Sequence, residues 1–251
     1  MTETLKERVR RHWEAEPCGS TLTTSEPGSP AFFAELEGTR YELEPFIPSF
    51  AGFAESGGKR VLEIGVGAGT DFVRFARAGA IASGIDLTSA GVELVRRRLD
   101  LEGLSAEVQV ADAEALPFAD ETFDLVYSWG VLHHTPDTER ALGEVRRVLR
   151  PGGEARIMLY SRRSWVALGV WLRYGLMKGR PWRTFADLLA EHMESPGTKA
   201  YIQRELDRLL QPFSDVRYMR FVTPYDRRVA GPLATVAGPR FGWFVGIVAT
   251  R

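Results

Sequence analysis

The stretch VLEIGVGAGTDFVRFARAGAIASGIDLT, from Val61 to Thr88, decides the fold. It starts as an apolar run of strand type, breaks at Gly65, Gly67 and Gly69, continues with a short helical pattern, and ends in a second apolar run closed by Asp86. Three glycines on alternate positions are costly in backbone entropy, and their usual reason is a positive φ or a close approach by something else. The turn after the first strand is therefore where backbone is expected to pass close beneath a ligand. Strand, glycine turn, helix and strand make one βαβ unit, which implies parallel pairing.

Outward from this unit the same rhythm continues. Strands are expected at 60–64, 81–86, 106–112, 123–129 and 154–160, with helices at about 70–78, 88–102 and 137–149 and a short one after 113. Such alternation predicts an α/β, Rossmann-like, doubly wound sheet covered by helices on both faces. Ahead of it, residues 3–15 read as a helix, SEPGSP (Ser25 to Pro30) as a break, and Ala31 to Phe53 as a helix interrupted near Pro45 and Pro48. Beyond it, 161–214 is mostly helical by pattern, and two more strands follow at 215–222 and 241–250. They are expected as an added pair at one edge, completing a seven-stranded, mostly parallel sheet with a C-terminal antiparallel strand. The chain thus divides into an N-terminal helical region (1–58), a core (59–160 and 215–251) and a helical insertion (161–214).

Composition narrows the function classes. The 251 residues carry 32 Lys+Arg against 33 Asp+Glu, a net charge of -1, so no nucleic-acid partner is expected. A single cysteine, Cys18, excludes an internal disulfide and a multi-cysteine zinc site and fits a cytoplasmic location; it is expected to be an inert lid or packing residue. The start, MTETLKERVRRHWEAEP, has no apolar core of signal-peptide length, so no export signal is expected. His133 and His134 are adjacent rather than one helical turn apart and have no cysteine near them, so no metal is expected.

In an open parallel sheet, ligands bind beyond the carboxyl ends of the strands. A dinucleotide fingerprint would need a third glycine at Thr70, and no P-loop lysine follows. The order Glu63-x-Gly65-x-Gly67-x-Gly69 instead resembles the first-strand motif of class I S-adenosylmethionine-dependent methyltransferases, in particular the small-molecule, type 11 or quinone-methyltransferase-like group. The resemblance runs from about Arg60 to Tyr160 and includes GIDLT, VADAEALPFADETFDLVYSWGVLHH and LRPGGEARIML. It implies S-adenosylmethionine as cofactor. It also implies Asp86, with Leu87 beside it, at the ribose hydroxyls, Asp112 and Ala113 at the adenine, and Trp129 and Gly130 beneath the methionine part. Glu63 is open between two roles, touching the cofactor's amino group or tying down the amides of the glycine turn.

Methyl transfer from a sulfonium is an in-line displacement, so alignment is the main task and a base is needed only when the nucleophile must lose a proton. His133 and His134 in GVLHHTPD follow the fourth strand, and the paired histidine resembles that of small-molecule enzymes in which the first one is thought to act as base. His133 is accordingly expected to face the acceptor and His134 to turn away. Tyr160 and Tyr41 are the next candidates; the acidic partner such a base has on the fifth strand of sugar methyltransferases is replaced here by Met158-Leu159-Tyr160.

The insertion places Trp165, Leu168, Trp171, Leu172, Leu176 and Met177 between two groups of cations. Three structures suit that pattern: a lid over a lipophilic substrate, a surface helix resting on a membrane, or a helix packed on the core or on a second copy in a homodimer. In the loop after it, His192, Glu194, Thr198, Lys199 and Tyr201 are candidates to approach a polar substrate head. The expected function is S-adenosylmethionine-dependent O- or C-methylation of a small, largely apolar or aromatic metabolite. The alternatives are a lipid or quinone acceptor at the membrane surface and a non-catalytic, methyltransferase-like binding module.

Overall fold

The structure is a computed structural model that describes residues 3–17 and 19–251; Cys18 lies outside the described residues. Seven strands form one sheet: β1 (Arg60–Ile64), β2 (Ile81–Asp86), β3 (Glu107–Val110), β4 (Phe123–Trp129), β5 (Leu149–Tyr160), β6 (Ser214–Phe221) and β7 (Phe244–Thr250). Their order across the sheet is β3-β2-β1-β4-β5-β7-β6. All neighbours pair parallel except β7, which runs antiparallel between β5 and β6. The last two strands are therefore the edge pair that the sequence implies.

The helices are α1 (Leu5–Ala15), α2 (Pro30–Leu43), α3 (Ile47–Ala51), α4 (Phe72–Arg77), α5 (Ser89–Glu102), α6 (Thr138–Val148), α7 (Trp165–Val170), α8 (Phe185–His192), α9 (Gln203–Leu209), α10 (Pro224–Ala230) and α11 (Pro232–Val236). Local chemistry sets many of their starts. Thr4 and Glu7 form a capping box on α1, Ser29 caps α2 with Pro30 in its first turn, and Thr88, Asp137 and Ser164 cap α5, α6 and α7.

Strand alternation sorts the core onto two faces. Val61, Leu125, Tyr127, Trp129, Met158 and Tyr160 pack with α3, α4 and α5 on one side, while Leu62, Val126, Ile157 and Leu159 pack with α6 and α9 on the other. The central strand β1 is buried on both faces from Val61 onward, as expected of a parallel strand between helical layers.

Three expectations need correction. No helix follows residue 113: the Asp112 carboxylate takes the Glu114 amide at 2.9 Å and a bridge joins Asp112 to Ala115, so a side chain claims the backbone and Pro117 keeps the turn short. The LRPGG turn lies inside an extended β5, where Leu149 pairs with Phe123 and Glu154 with Leu125, so the residues between them bulge out of register. Residues 223–240, to which the sequence reading assigns no element, hold α10, α11 and a 3-10 turn, started by a Thr223–Asp226 capping box.

Candidate active site

The carboxyl ends of β3, β2, β1, β4 and β5 and the start of β7 open onto one cavity of about 490 Å³. At the first turn, Gly65 has φ +81°, and a Cβ there would lie 2.2 Å from the Val131 side chain, so the turn admits no side chain at that position. Gly67, at φ +51°, lines the cavity. Gly69 does not: it packs beneath Val95 of α5, which a Cβ would meet at 3.0 Å. The third glycine of the motif, expected at the cofactor, thus stands off the cavity wall and against α5.

Four of the turn's amides are bonded without Glu63. Those of Gly65 and Val66 go to the Ile85 carbonyl at 2.8 and 3.1 Å, that of Gly67 to Asp86 Oδ2 at 2.9 Å, and that of Gly69 to the Val66 carbonyl at 2.8 Å. Glu63 is 4% exposed, and its Oε2 has no hydrogen-bond partner. Burial pushes its carboxyl well above the ordinary range, and the Asp71 charge pushes further in the same direction, against the pull of Arg40. A buried acceptor without a donor, set beside an open cavity, suits an incoming cation such as an α-ammonium group. That favours the amino-group role over the loop-tying one.

Asp86 accepts from Gly67 N through Oδ2 and from Thr88 N (3.0 Å) and Thr88 Oγ1 (2.7 Å) through Oδ1. Oδ2 carries a single bond, and Asp86 lines the cavity beside Leu87. Asp112 and Ala113 also line the cavity; Lys6 of α1 reaches both Asp112 Oδ2 and Glu114 Oε2 at 2.6 Å. Burial pulls the Lys6 pKa down, but those two bonds outweigh it and hold the ammonium above its ordinary value. Trp129 and Gly130 form part of the wall beyond β4, and the Trp129 indole donates to Glu44 Oε2 at 3.1 Å.

The histidines exchange their expected places. Leu132–His134 is a 3-10 turn, in which successive side chains swing by about 120°. His133 points into the core, 0% exposed, with neither ring nitrogen hydrogen-bonded and its ring 3.8 Å from that of Tyr160. His134 lines the cavity, its Nδ1 shared between Ser195 Oγ at 2.8 Å and Thr198 Oγ1 at 3.1 Å. Burial, with the charges of His12 and Lys199, pushes His134 down to about 3, and burial holds His133 well below the histidine range.

Tyr160 lines the cavity and donates to Glu194 Oε1 and Oε2 at 3.1 and 3.2 Å. Tyr41 does not line it; its hydroxyl is held by Asp71 Oδ1 at 2.9 Å. From the loop after α8, Lys199 turns its ammonium to the Thr135 and Pro136 carbonyls and Tyr201 bonds to Thr138, so of that group Glu194 alone is on the cavity wall.

Four wall residues carry no local sequence signal: Lys6 and Trp13 on α1, Arg40 on α2 and Glu44 just after it. Arg40 pairs with Asp71 at 3.0 Å, and Asp71 also accepts from Tyr127 at 2.8 Å. Helical amphipathicity accounts for these side chains equally well as solvent-facing charges; only the packing of α1 and α2 over the strand ends gives them a function. Among the described residues no group of three or more His, Cys, Asp or Glu is placed to hold a metal ion. No helix among them is long and apolar enough to cross a membrane.

Residues 62–157 match the family model described as a methyltransferase domain. The chain is 46% identical over 101 residues to phthiotriol/phenolphthiotriol dimycocerosates methyltransferase 1 of Mycobacterium ulcerans, a match covering 39% of this chain and 36% of that protein. The chain therefore spans little more than a third of the length of that curated relative. In three dimensions it is similar to a SAM-dependent methyltransferase from Aquifex aeolicus, with a TM-score of 0.56, 18% identity and coverage of 88% of this chain and 97% of the other. It is also similar to phosphoethanolamine N-methyltransferase 2 of Haemonchus contortus, solved with phosphomonomethylethanolamine and S-adenosylhomocysteine, with a TM-score of 0.65, 16% identity and coverage of 100% of this chain and 60% of the other. The glycine turn, the two aspartates at the neighbouring strand ends and the unpartnered Glu63 oxygen fit an adenosyl cofactor with an ammonium group. Over residues 62–157 the chain is thus similar to a methyltransferase domain, on a fold it shares with S-adenosylmethionine-dependent methyltransferases.

Proposed function

We propose that the chain methylates a small, largely apolar or aromatic metabolite at oxygen or carbon. The observation that carries this reading is one cavity of about 490 Å³ lined both by the cofactor motif and by Trp129, Met158, Tyr225 and Phe244. The cofactor supplies an electrophilic methyl group. Asp86 takes the ribose hydroxyls through its open Oδ2, Asp112 and Ala113 take the adenine, and Glu63 takes the α-ammonium. Arg40, on the wall beside its partner Asp71, takes the α-carboxylate. Trp129 and Gly130 support the methionine chain. The N-terminal region, residues 1–58, acts as the lid and 161–214 as the acceptor-side insertion.

Calorimetry with S-adenosylmethionine and turnover of a panel of apolar alcohols, phenols and activated carbon acids test this reading. Cofactor binding with no turnover of any class would favour a non-catalytic module instead.

A second reading, a lipid acceptor taken from a membrane surface, has its own observation. Residues 161–186 contain no Asp or Glu, while Met177 is 80% and Trp182 76% exposed among Arg173, Lys178, Arg180 and Arg183. Aromatic and aliphatic side chains among cations suit an anionic headgroup layer. Co-sedimentation with anionic but not neutral vesicles supports it; a monomer–dimer shift in sedimentation velocity would show instead that a second copy covers the patch. A reducing, cytoplasmic setting fits the lone Cys18.

A further inference from the structure

The acceptor end of the cavity holds a pair of groups that cofactor binding leaves unused. Tyr160 ends β5, Glu194 follows α8, and the tyrosine hydroxyl is shared between the two carboxylate oxygens. Tyr160 is almost wholly buried, whereas Glu194 is exposed and stands on the cavity wall. In the order β2-β1-β4-β5, Tyr160 stands three strands from Asp86, about 14 Å at ordinary strand spacing. The pair is therefore on the far side of the glycine turn from the ribose site.

The competing bases here are engaged or weak. His134 shares its Nδ1 with two hydroxyls and is too weakly basic to hold a proton near neutral pH. His133 lies behind Tyr160 and off the wall, and Glu44 accepts the Trp129 indole.

Resting on the methyltransferase reading above, we propose that Glu194 is the general base for a neutral hydroxyl acceptor, with Tyr160 as the positioning residue that aims its carboxylate. The acceptor's proton passes to a Glu194 oxygen as the acceptor oxygen bonds to the methyl carbon; the sulfur–carbon bond breaks with its electron pair left on sulfur. The products are an ether, a neutral thioether and a protonated Glu194, which returns its proton to water when the cavity opens. Burial holds the Glu194 carboxyl above the ordinary range against the opposing bond from Tyr160, which brings its basicity closer to working pH. The titratable groups around it are Tyr160 on β5, Glu44 after α2, His134 after β4 and Tyr225 on α10.

The test compares Glu194→Gln with wild type on neutral alcohols, 1-decanol among them, and on 4-nitrophenol at a pH where it is already ionised. Glutamine still accepts from Tyr160 but cannot take a proton. Turnover of the alcohols should fall about a hundredfold to ten-thousandfold, while the ionised phenol, which needs no base, stays within about threefold. S-adenosylhomocysteine affinity by calorimetry should not change. In a carboxyl ¹³C NMR titration of glutamate-labelled protein, the resonance missing from Glu194→Gln should titrate above the ordinary value of 4.5. Equal losses on both acceptor classes, no loss on the alcohols, or a resonance titrating at or below 4.5 would overturn the assignment. Binding of S-adenosylhomocysteine with no turnover of any acceptor by wild type would instead defeat the methyltransferase reading, and the proposal with it.

Discussion

At the Asp86 end of the cavity, the proposed cofactor groups stand mostly at or next to a strand terminus, with Glu63 in β1, Asp86 closing β2, Asp112 just after β3 and Trp129 closing β4, Arg40 on α2 being the exception. At the Tyr160 end, the wall combines Glu44 after α2, Glu194 after α8, Tyr225 on α10 and Phe244 at the start of β7. The first end is built by strand geometry, which fixes side chains relative to their own backbone. The second depends on helices from distant parts of the chain meeting over the sheet. The same sheet can therefore keep its cofactor while its acceptor changes with the elements packed above it.

Four measurements press on that difference. The largest effect should come from Asp86→Ala. It removes the acceptor for the Gly67 amide and for a diol, so cofactor affinity should weaken by about 3 kcal/mol, roughly a hundredfold in Kd by calorimetry. A loss below about fivefold would mean that the strand-end construction does not carry cofactor binding.

Glu63→Gln should separate binding from stability. Cofactor Kd should rise about tenfold as the ammonium loses its charge partner, yet the cofactor-free protein should gain about 1 kcal/mol near neutral pH, because a buried carboxylate beside Asp71 and Asp86 is removed. The pH dependence has a definite sign. In the folded protein the carboxyl is raised above the ordinary 4.5, so its contribution to stability is complete below 4.5 and is lost as pH rises toward the folded value. Thermal unfolding of the cofactor-free protein from pH 4.5 upward should show that decline in wild type and less of it in the variant.

His133→Leu tests the exchange of the histidines. Both its ring nitrogens are without partners, so an apolar side chain of similar size should leave stability level or raise it by about 1 kcal/mol, and turnover should stay within about threefold. A loss of a hundredfold would return His133 to the reaction.

The smallest effect should come from Lys6→Ala. Its pairs with Asp112 and Glu114 are partly exposed and worth roughly 0–1 kcal/mol, so melting should hardly move, while stopped-flow release of S-adenosylhomocysteine quickens about threefold.

How much the sequence reveals follows the same division. β1, β2 and β4 are legible to the residue, because a buried parallel strand writes a continuous apolar run and its closing glycine or acid stands at a fixed offset. Gly69 is legible as a glycine but not as a packing one, since its neighbour Val95 belongs to another helix. The order of the two histidines is illegible because one 3-10 turn in place of extended chain rotates both rings, and no side-chain pattern distinguishes the two. Glu44 reads as an ordinary surface acid until α2 is folded over the strand ends, and Glu194 is legible only as one of five candidates in its loop, not as the partner of Tyr160. The bond between Tyr160 and Glu194 spans 34 residues, with the insertion helices α7 and α8 between them, and no periodicity carries that distance.

Helix α1 is tied across the cavity at three points. Lys6 holds Asp112 and Glu114, Trp13 meets the His134 ring edge-on at 5.5 Å, and the Glu14 carboxylate caps the start of α5 through Ser89 and Ala90. On the proposed reading of the N-terminal region as a lid, such a roof lifts for spent cofactor to leave, and each cycle includes an unlatching event that owes nothing to the chemistry beneath it. Rapid-quench time courses should accordingly show a first turnover that outruns the steady state. Added salt, which weakens the Lys6 and Glu14 ties, should accelerate the steady phase and leave the amplitude of the initial burst in place.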